Sequence, residues 1–300
     1  MILTVTPNAA LDVTYTVDSL VPDEVHRVAQ VRQRAGGKGI NVARVLHALG
    51  GDTRALALAG GATGNAVARE LATSGVPAEL VPIAGETRRT TAVLALADRS
   101  VTLLNEPGPE VTAGEWAALL AAASRHRPEV LVCSGSLPPG APPDGYAQLA
   151  ATGAQTVLDT SGDALLAGLA GRPAVVKPNV SELIEVTGIR DVESAAAELR
   201  RAGAGAVVVS LGPDGLLAVT GSGTWHAAPS AALSGNATGA GDAAVAGIAL
   251  GMSWREPWPQ LLRRAVALSG AAVLGPLAGD LDLGHYHREH DRVAVRARGT

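Results

Sequence analysis

The most informative stretch of this chain is Asn236-Ala-Thr-Gly-Ala-Gly-Asp242, followed at once by the apolar run Ala243-Ala-Val-Ala-Gly-Ile-Ala-Leu250. Glycines on both sides of Ala240 permit the positive φ angles of a tight turn into a helix. A helix that begins here directs unpaired N–H groups and the positive end of its dipole at the turn, which favours a phosphate. Asp242 falls in the first helical turn, where it can cap the helix or act as a base. The segment is not a Walker A loop, because no Gly-Lys-Ser/Thr follows.

Upstream and downstream of this segment, short apolar strands alternate with amphipathic helices. Strands are predicted at 2–6, 55–59, 130–134, 156–159, 174–177 and 206–210. Helices are predicted at 39–49, 65–73, 115–124, 146–151, 181–186, 192–202, 239–250 and 258–274. This alternation predicts an α/β fold of one domain over residues 1–300, with a mostly parallel sheet covered by helices on both faces.

Two regions interrupt the alternation and predict a second, smaller sheet. Residues 13–17 with 27–34, and 90–97 with 101–105, indicate strands with no helix between them. We expect a small antiparallel lid formed by about 12–35 and 88–106. A small sheet with an apolar face rarely stands alone, so it should cover a site or pair with a second copy as a homodimer. The polar segment 284–300 is predicted to be loosely held.

Composition narrows the function classes. Apolar residues make up 47% of the 300 residues, without any Phe, so small aliphatic side chains must fill the core. The net charge of −4 argues against a nucleic-acid partner. No apolar run is long enough for a signal peptide or a membrane span. The single cysteine, Cys133, cannot form an internal disulfide, which suits a cytoplasmic location.

Lysine is rare in this chain. Of the 24 basic residues only Lys38 and Lys177 are lysines, and both lie in motif-like segments. Lysine is a compact point charge whereas arginine is a planar fork, so a narrow site could require lysine. Lys177 itself is interpreted as a charge at the end of a strand.

Six motifs occur in an order and spacing that resemble one family. They are Asn8-Ala-Ala-Leu-Asp12, Gly36-Gly-Lys-Gly-Ile-Asn-Val-Ala-Arg44, Ser134-Gly-Ser-Leu-Pro-Pro-Gly140, Lys177-Pro-Asn-Val-Ser-Glu182, Ser210-Leu-Gly-Pro-Asp-Gly215 and Thr238-Gly-Ala-Gly-Asp242. The set resembles the ribokinase-type (PfkB) sugar kinases, most closely the branch of 1-phosphofructokinases and tagatose-6-phosphate kinases. The resemblance implies a three-layer α/β/α fold with a β-sheet lid, and phosphoryl transfer from ATP with Mg²⁺.

The resemblance also implies roles at the transfer centre. Asp242 matches the catalytic base, and the amides of Gly239, Ala240 and Gly241 would form an anion hole for the transferring phosphoryl group. Glu182 matches the Mg²⁺ carboxylate, with Asn179 reaching the metal through water, although the pair could equally be a helix cap. The nucleotide contacts implied are those of Asn179, Ser210, Gly212, Gly215, Thr238, Gly239 and Gly241. A helix around 265–272 is expected beside the adenine.

At the acceptor end, Asp12 resembles the carboxylate that binds sugar hydroxyls. Lys38, at a helix start, suits a phosphate already carried by the acceptor. The full set of acceptor contacts implied is Asp12, Gly37, Lys38, Asn41, Arg88, Ser136 and Arg27. For Arg27 the contact could come within one chain or across a dimer.

Two departures from the family pattern concern the acceptor and the base. Thr90 stands where the branch usually has Asn, and Ala243 follows Asp242 where Ser or Thr is common. The preferred function is ATP-dependent phosphorylation of D-fructose 1-phosphate to fructose 1,6-bisphosphate, because Gly36-Gly-Lys-Gly39 differs from the all-glycine version of the minor 6-phosphofructokinases. The near alternatives are tagatose-6-phosphate kinase and 6-phosphofructokinase. More remote are a non-catalytic sugar-phosphate sensor and a nucleoside kinase.

Overall fold

The computed structural model describes residues 1–98 and 100–298. In its first half the elements are β1 (Ile2–Thr6), β2 (Ala10–Val17), β3 (Gln30–Gly36), α1 (Lys38–Ala48), β4 (Thr53–Ala59), α2 (Gly61–Ser74), β5 (Ala78–Pro82), β6 (Arg88–Ala95), β7 (Val101–Asn105), α3 (Ala113–His126) and β8 (Val130–Ser134). The second half contains α4 (Gly145–Ala150), β9 (Gln155–Asp159), α5 (Gly162–Gly168), β10 (Val175–Val176), α6 (Val180–Thr187), α7 (Val192–Arg201), β11 (Ala206–Ser210), β12 (Leu216–Thr220), β13 (Gly223–Ala228), α8 (Ala240–Ser253), α9 (Trp258–Val273), α10 (Leu283–His290) and β14 (Ala294–Arg298).

A central ten-stranded sheet has the order β14-β13-β12-β11-β10-β9-β8-β1-β4-β5. Each pair from β11 across to β5 is parallel. The pairs from β11 out to β14 are antiparallel. The sequence therefore predicted the parallel part correctly, but it missed β5, β12 and β13. These strands lie toward the sheet edges, where their partners are set by the topology rather than by a local pattern.

Side chains alternate between two apolar layers on the two faces of this sheet. In β8, Val130 and Val132 face a core with α1, α8 and α9, whereas Leu131 and Cys133 face a core with α3, α4 and α7. Strands buried on both faces need apolar residues at every position, and all five residues of β8 are buried. The three-layer α/β/α prediction is confirmed.

Helices α8 and α9 pack closely because their contact is made of small residues. A Cβ added to Gly247 would lie 2.7 Å from the Cα of Ala265, so only glycine allows this approach. The surrounding Ala243, Ala244 and Ala246 are fully or almost fully buried. Close packing of alanine and glycine compensates here for the missing large aromatic side chains.

The lid is a separate four-stranded sheet with the order β3-β2-β6-β7. Its two outer pairs are antiparallel, as predicted, while the central pair of β2 and β6 is parallel. One end of the lid is anchored by an apolar cluster that includes Leu11, Val13 and Ala35 together with α2. The lid therefore rises from the same end of the main sheet at which β1 ends.

The predicted loose C-terminal tail is wrong as far as residue 298. Residues Leu283–His290 form α10, and β14 pairs with β13 at the edge of the sheet. The buried Glu289 carboxylate accepts hydrogen bonds from the backbone N–H and the hydroxyl of Ser230. These contacts involve partners far away in sequence, so polarity alone could not reveal them. Gly299 and Thr300 lie outside the described residues.

Candidate active site

A cavity of about 820 Å³ opens where the lid meets the carboxyl ends of the central strands. Asp159, Lys177 and Ser210 stand at or just after the ends of β9, β10 and β11, which are neighbours in the sheet. All three line this cavity. Ligands of open α/β sheets bind at such strand ends, so the topology places the site here.

The glycine-rich turn begins α8 on one side of the cavity. Gly239 is the N-cap and has a φ of 86°, a left-handed conformation that other residues adopt only with strain. A Cβ at Gly239 would also lie 2.9 Å from the Cα of Ala278. Gly239, Ala240 and Gly241 line the cavity at the positive end of α8, which suits an anion. The N–H of Ala240 donates to the carbonyl oxygen of Ala237 at 3.2 Å.

Asp242 follows this turn and is only 7% exposed. Its Oδ2 accepts a hydrogen bond of 2.9 Å from Nδ2 of Asn41. Burial, with the nearby Asp159 charge, raises the pKa of Asp242 to about 7, although Asn41 and the two lysines favour the ionised form. A carboxyl group with a pKa near neutrality can accept a proton and hold it, as a general base must.

Asp159 is a cavity residue that the sequence interpretation missed, and Lys177, interpreted as a charge at a strand end, is a buried partner of its carboxylate. Asp159 is 1% exposed and forms ion pairs with both lysines of the chain, at 3.2 Å to Nζ of Lys177 and 3.4 Å to Nζ of Lys38. Burial would raise the pKa of Asp159, but the two lysines outweigh it and lower the pKa. Asp159 in turn is the main cause of the raised pKa of Lys38. The signal that could have found Asp159 is its place at the carboxyl end of a parallel strand.

The lid forms one wall of the cavity with residues of β2 and β6. Asp12 on β2 stands opposite Thr90 on β6 and Arg34 on β3 in the strand register. Burial raises the pKa of Asp12 to about 6, and Arg88 opposes that rise. Arg88 is held by hydrogen bonds from its guanidinium to the carbonyl oxygens of Asn8, at 3.3 Å, and of Glu106, at 2.9 Å. The carboxylate-bearing Asp12 and the guanidinium-bearing Arg88 thus line the same cavity.

Asn179 and Glu182 form a capping box at the start of α6. Oδ1 of Asn179 accepts from the Glu182 N–H at 2.8 Å, and Oε2 of Glu182 accepts from the Asn179 N–H at 2.8 Å. Both side chains also line the cavity. Across residues 1–98 and 100–298 no cluster of three or more His, Cys, Asp or Glu is arranged to hold a metal ion. Mg²⁺ needs few protein ligands, so the Glu182 carboxylate fits a hydrated Mg²⁺ that also binds phosphates.

The far end of the cavity is more apolar. Gly212 and Gly215 bracket a short turn, and α9 lies opposite. Residues of this wall that the sequence could not single out include Pro229, Ala231, Leu233, Val266, Ser269, Gly270 and Val273. A slot with small and aliphatic walls suits a planar base. Helix α9, which includes residues 265–272, lines this part of the cavity.

The structure brings most of the predicted site residues to one cavity. Its lining includes Asp12, Gly37, Lys38, Asn41, Arg88, Asn179, Glu182, Ser210, Gly212, Gly215, Thr238, Gly239, Ala240, Gly241 and Asp242. Ser136 and Arg27 are not in the described lining. The Ser136 hydroxyl accepts a hydrogen bond from Nδ2 of Asn8, and Arg27 is exposed on the connection between β2 and β3.

The sequence matches the family described as pfkB family carbohydrate kinase over residues 5–282. The chain belongs to the pfkB family. It is 36% identical to a 1-phosphofructokinase of Rhodobacter capsulatus over 310 residues, which cover 99% of this chain and 96% of that protein. Phosphofructokinase-2 from Escherichia coli, in complex with potassium, is similar with a TM-score of 0.92 and 32% identity over 97% of this chain and 98% of that one. Its complex with fructose-6-phosphate gives a TM-score of 0.89 at 32% identity over the same shares.

Membership of the pfkB family confirms the predicted family and fold. The protein is an ATP-dependent phosphotransferase that acts on a sugar hydroxyl. No helix in the described part of this pfkB kinase has the length and apolar character needed to cross a membrane.

Proposed function

We propose that this phosphosugar kinase transfers the γ-phosphoryl group of ATP to the 6-hydroxyl of D-fructose 1-phosphate, giving D-fructose 1,6-bisphosphate and ADP. The observation that carries the proposal is the buried Asp242, which lines the cavity together with Asp12 and Arg88 of the lid and with Ser210 and Gly215 of the nucleotide loop. The likeness to a 1-phosphofructokinase and the lysine in Gly36-Gly-Lys-Gly39 support this acceptor.

Asp242 acts as the base in this proposal. Its carboxylate takes the proton of the sugar hydroxyl while the hydroxyl oxygen forms a bond to the γ-phosphorus. The bond between that phosphorus and the bridging oxygen of ADP breaks, and its electrons leave with ADP. The hydrogen bond from Asn41 holds one oxygen of Asp242, which leaves the other oxygen for the acceptor.

The charge of the transferring phosphoryl group is met by backbone and lysine donors. The amides of Gly239, Ala240 and Gly241 are assigned to this group at the start of α8. The Ala240 N–H, which donates to Ala237 in the structure, would have to turn from that carbonyl oxygen to the phosphoryl group. Lys177 and Lys38 supply positive charge, and their common partner Asp159 holds them near Asp242. Lys38 can therefore reach the transferring group as well as a phosphate on the acceptor.

Mg²⁺ is assigned to Glu182, with Asn179 reaching it through water. The capping box commits Oε2 of Glu182 and Oδ1 of Asn179 to backbone N–H groups, so Oε1 of Glu182 is the oxygen best placed for a metal or its water. When bound, Mg²⁺ would neutralise phosphate charge. Ser210, Gly212, Gly215 and Thr238 are assigned to the nucleotide.

The acceptor is assigned to Asp12, Gly37, Lys38, Asn41 and Arg88. Asp12 would accept hydrogen bonds from sugar hydroxyls, and Arg88 would pair with the phosphate of the acceptor. Ser136 and Arg27 remain assigned to the acceptor as predictions. Arg27, which is exposed, would need a movement of its segment or a second copy of the chain to reach it.

An assay of ADP release with D-fructose 1-phosphate, D-fructose 6-phosphate, D-tagatose 6-phosphate and unphosphorylated D-fructose tests the acceptor. We expect kcat/KM to be highest for D-fructose 1-phosphate by about tenfold or more, which corresponds to about 1.4 kcal/mol. A higher value for either 6-phosphate would establish the alternative acceptor. The highest value on unphosphorylated D-fructose, or on adenosine added to the same assay as a fifth acceptor, would refute the branch. Tight binding without turnover would indicate a sensor.

We further propose a homodimer formed through the lid and a cytoplasmic location. The edge strand β7 is exposed along its whole length. Val101 and Leu104 are exposed outside the cavity lining, whereas the exposed Leu103 lines the cavity. An exposed apolar edge strand in a free monomer would tend to pair with other chains, so a second copy is its natural partner. The cytoplasm supplies both ATP and phosphosugars, and it keeps the lone Cys133 reduced.

A further inference from the structure

We propose that Arg34 is a positioning residue that ties lid strand β3 to the transfer centre formed by Gly239 and Asp242. The inference rests on the proposed role of Asp242 as the base, and it does not depend on which phosphosugar is the acceptor. It concerns an ion pair between the lid and the irregular segment of residues 274–282, which joins α9 to α10.

The guanidinium of Arg34 makes two bonds to this segment. Its Nη2 lies 2.6 Å from Oδ1 of Asp280, and its Nη1 donates to the carbonyl oxygen of Ala278 at 3.1 Å. The two bonds together use the planar fork of arginine, which lysine cannot reproduce. Arg34 is 18% exposed and Asp280 30%, so the pair is only partly screened by solvent.

Residues 274–282 also contact the transfer centre at two points. Ala278 packs against Gly239, since a Cβ at Gly239 would lie 2.9 Å from its Cα. Gly279 packs against Asn41, because a Cβ at Gly279 would lie 3.5 Å from the Cα of Asn41. Asn41 is the residue that donates to Asp242. One short segment thus touches both the N-cap of α8 and the partner of the base.

Other support for this segment is mostly local. The N–H groups of Gly275 and Asp280 donate to Ala272 and Leu277, three residues earlier in each case. Over the described residues, both side-chain hydrogen bonds that reach 274–281 from a distant part of the chain come from Arg34. Irregular segments with few such bonds open easily, so the loss of Arg34 should loosen the packing on Gly239.

At its other end Arg34 belongs to the acceptor side of the lid. It stands opposite Asp12 in the β2–β3 register, and its charge helps to counter the rise that burial causes in the pKa of Asp12. In the described structure β3 already holds Arg34 against Ala278 and Asp280, the two neighbours of Gly279. In this proposal the geometry of the transfer centre therefore depends on how β3 is seated against residues 274–282.

Steady-state kinetics of Arg34→Ala and Asp280→Ala, with the best acceptor, tests the inference. We expect kcat to fall about tenfold or more in each variant, because small misplacements at a reacting centre are costly. The KM for ATP should change less than about threefold, and the double variant should be no slower than the slower single variant, because the residues act as a pair. Arg34→Lys should be intermediate, since it restores the charge without the fork.

Two measurements separate positioning from general damage. Arg32→Ala is the matched control, because Arg32 lies two residues earlier on the same strand and is exposed. It should leave kcat within about twofold of the unmodified protein. Hydrogen exchange at the amides of residues 239–242 should quicken in Arg34→Ala and Asp280→Ala but not in Arg32→Ala. Thermal unfolding of each variant shows whether it is folded.

An unchanged kcat in a folded Arg34→Ala protein would overturn the inference, as would losses in the two single variants that multiply in the double variant. A rise in acceptor KM alone would mean that Arg34 acts only through Asp12. Failure of the proposed role of Asp242 as the base would show differently, since Asp242→Asn would then keep its activity. If Asp242→Asn is inactive while Arg34→Ala is fully active, only the positioning role is wrong.

Discussion

In its proposed role as the base, Asp242 has to be both buried and able to ionise. Its carboxylate must be ionised to accept a proton, but an ionised carboxylate is costly to bury. Burial and the charge of Asp159 hold its pKa at about 7, above the ordinary value of 3.8. A carboxyl whose pKa is raised in the folded state stabilises the fold when protonated, and that stability is lost as pH rises from 3.8 through about 7. The raised pKa of Asp242 therefore lowers the stability of the folded state at neutral pH.

We predict that Asp242→Asn lowers kcat about 10²- to 10⁴-fold with little change in either KM. In the unmodified protein, kcat/KM for the acceptor should fall as pH drops below about 7, because the base becomes protonated. A pH–rate profile measured at saturating ATP checks the second expectation. A loss confined to KM, or a profile that is flat from pH 6 to pH 8, would contradict the role of Asp242.

Asp159→Asn should shift the fall of kcat/KM, expected below about pH 7 in the unmodified protein, to lower pH. The substitution removes a negative charge that raises the pKa of Asp242, and it leaves Lys38 and Lys177 facing each other without a common carboxylate. We also expect kcat to fall about tenfold or more, because both ammonium groups lose their fixed positions.

The exposed Asp163 in the first turn of α5 offers a control for Asp159. Asp163→Asn makes the same chemical change four residues later and should leave the pH–rate profile unchanged. If Asp159→Asn and Asp163→Asn give the same profile, Asp159 does not tune the base.

Among elements, the start of α8 depends most on a single backbone conformation. Gly239 has a φ of 86°, and any Cβ would press on Ala278. A Cβ in this left-handed conformation costs about 1–2 kcal/mol before any clash is counted. The same glycine lines the cavity and belongs to the proposed anion hole, so one substitution tests both the backbone conformation and that proposal.

Gly239→Ala should therefore reduce kcat strongly and lower the melting temperature. Gly188→Ala is its matched control, because Gly188 also has a positive φ, of 68°, at the end of α6 but has open space around its Cβ position. We expect the control to lose about 1 kcal/mol of stability and to keep its kcat. Equal kcat values for the two variants would argue against an anion hole at Gly239.

At the scale of the whole molecule, the proposed dimer can be tested at the exposed edge strand of the lid. Leu104 on β7 is 59% exposed and lies outside the cavity lining, so its substitution tests association without touching the site. Leu104→Asp should convert a dimer into a monomer at micromolar concentration, as measured by analytical ultracentrifugation. Leu166→Asp is the control, because it replaces another exposed leucine, 43% exposed on α5. It should leave the mass of the assembly in solution unchanged. A monomeric unmodified protein would refute the lid dimer.

Much of the fold could be predicted because its signals are local. The buried strands β1 and β8 have apolar residues in short unbroken runs, and α8 follows its glycine turn directly. The strands β12–β14 could not be predicted in the same way. They pair antiparallel at one edge of the sheet, and what surrounds each of them depends on the order of strands across the whole molecule.

Ordered motifs and apolar periodicity are local signals, and they sufficed to predict the family, the parallel α/β core and most of the residues that line the cavity beside the glycine turn of α8. Only the tertiary structure brought Asp159 to Lys38 and Lys177, and Arg34 to Asp280. An ion pair forms only where two side chains meet in space, so a local sequence pattern does not reveal it. Which strand ends and loops become neighbours is decided by the packing of the whole sheet and its lid.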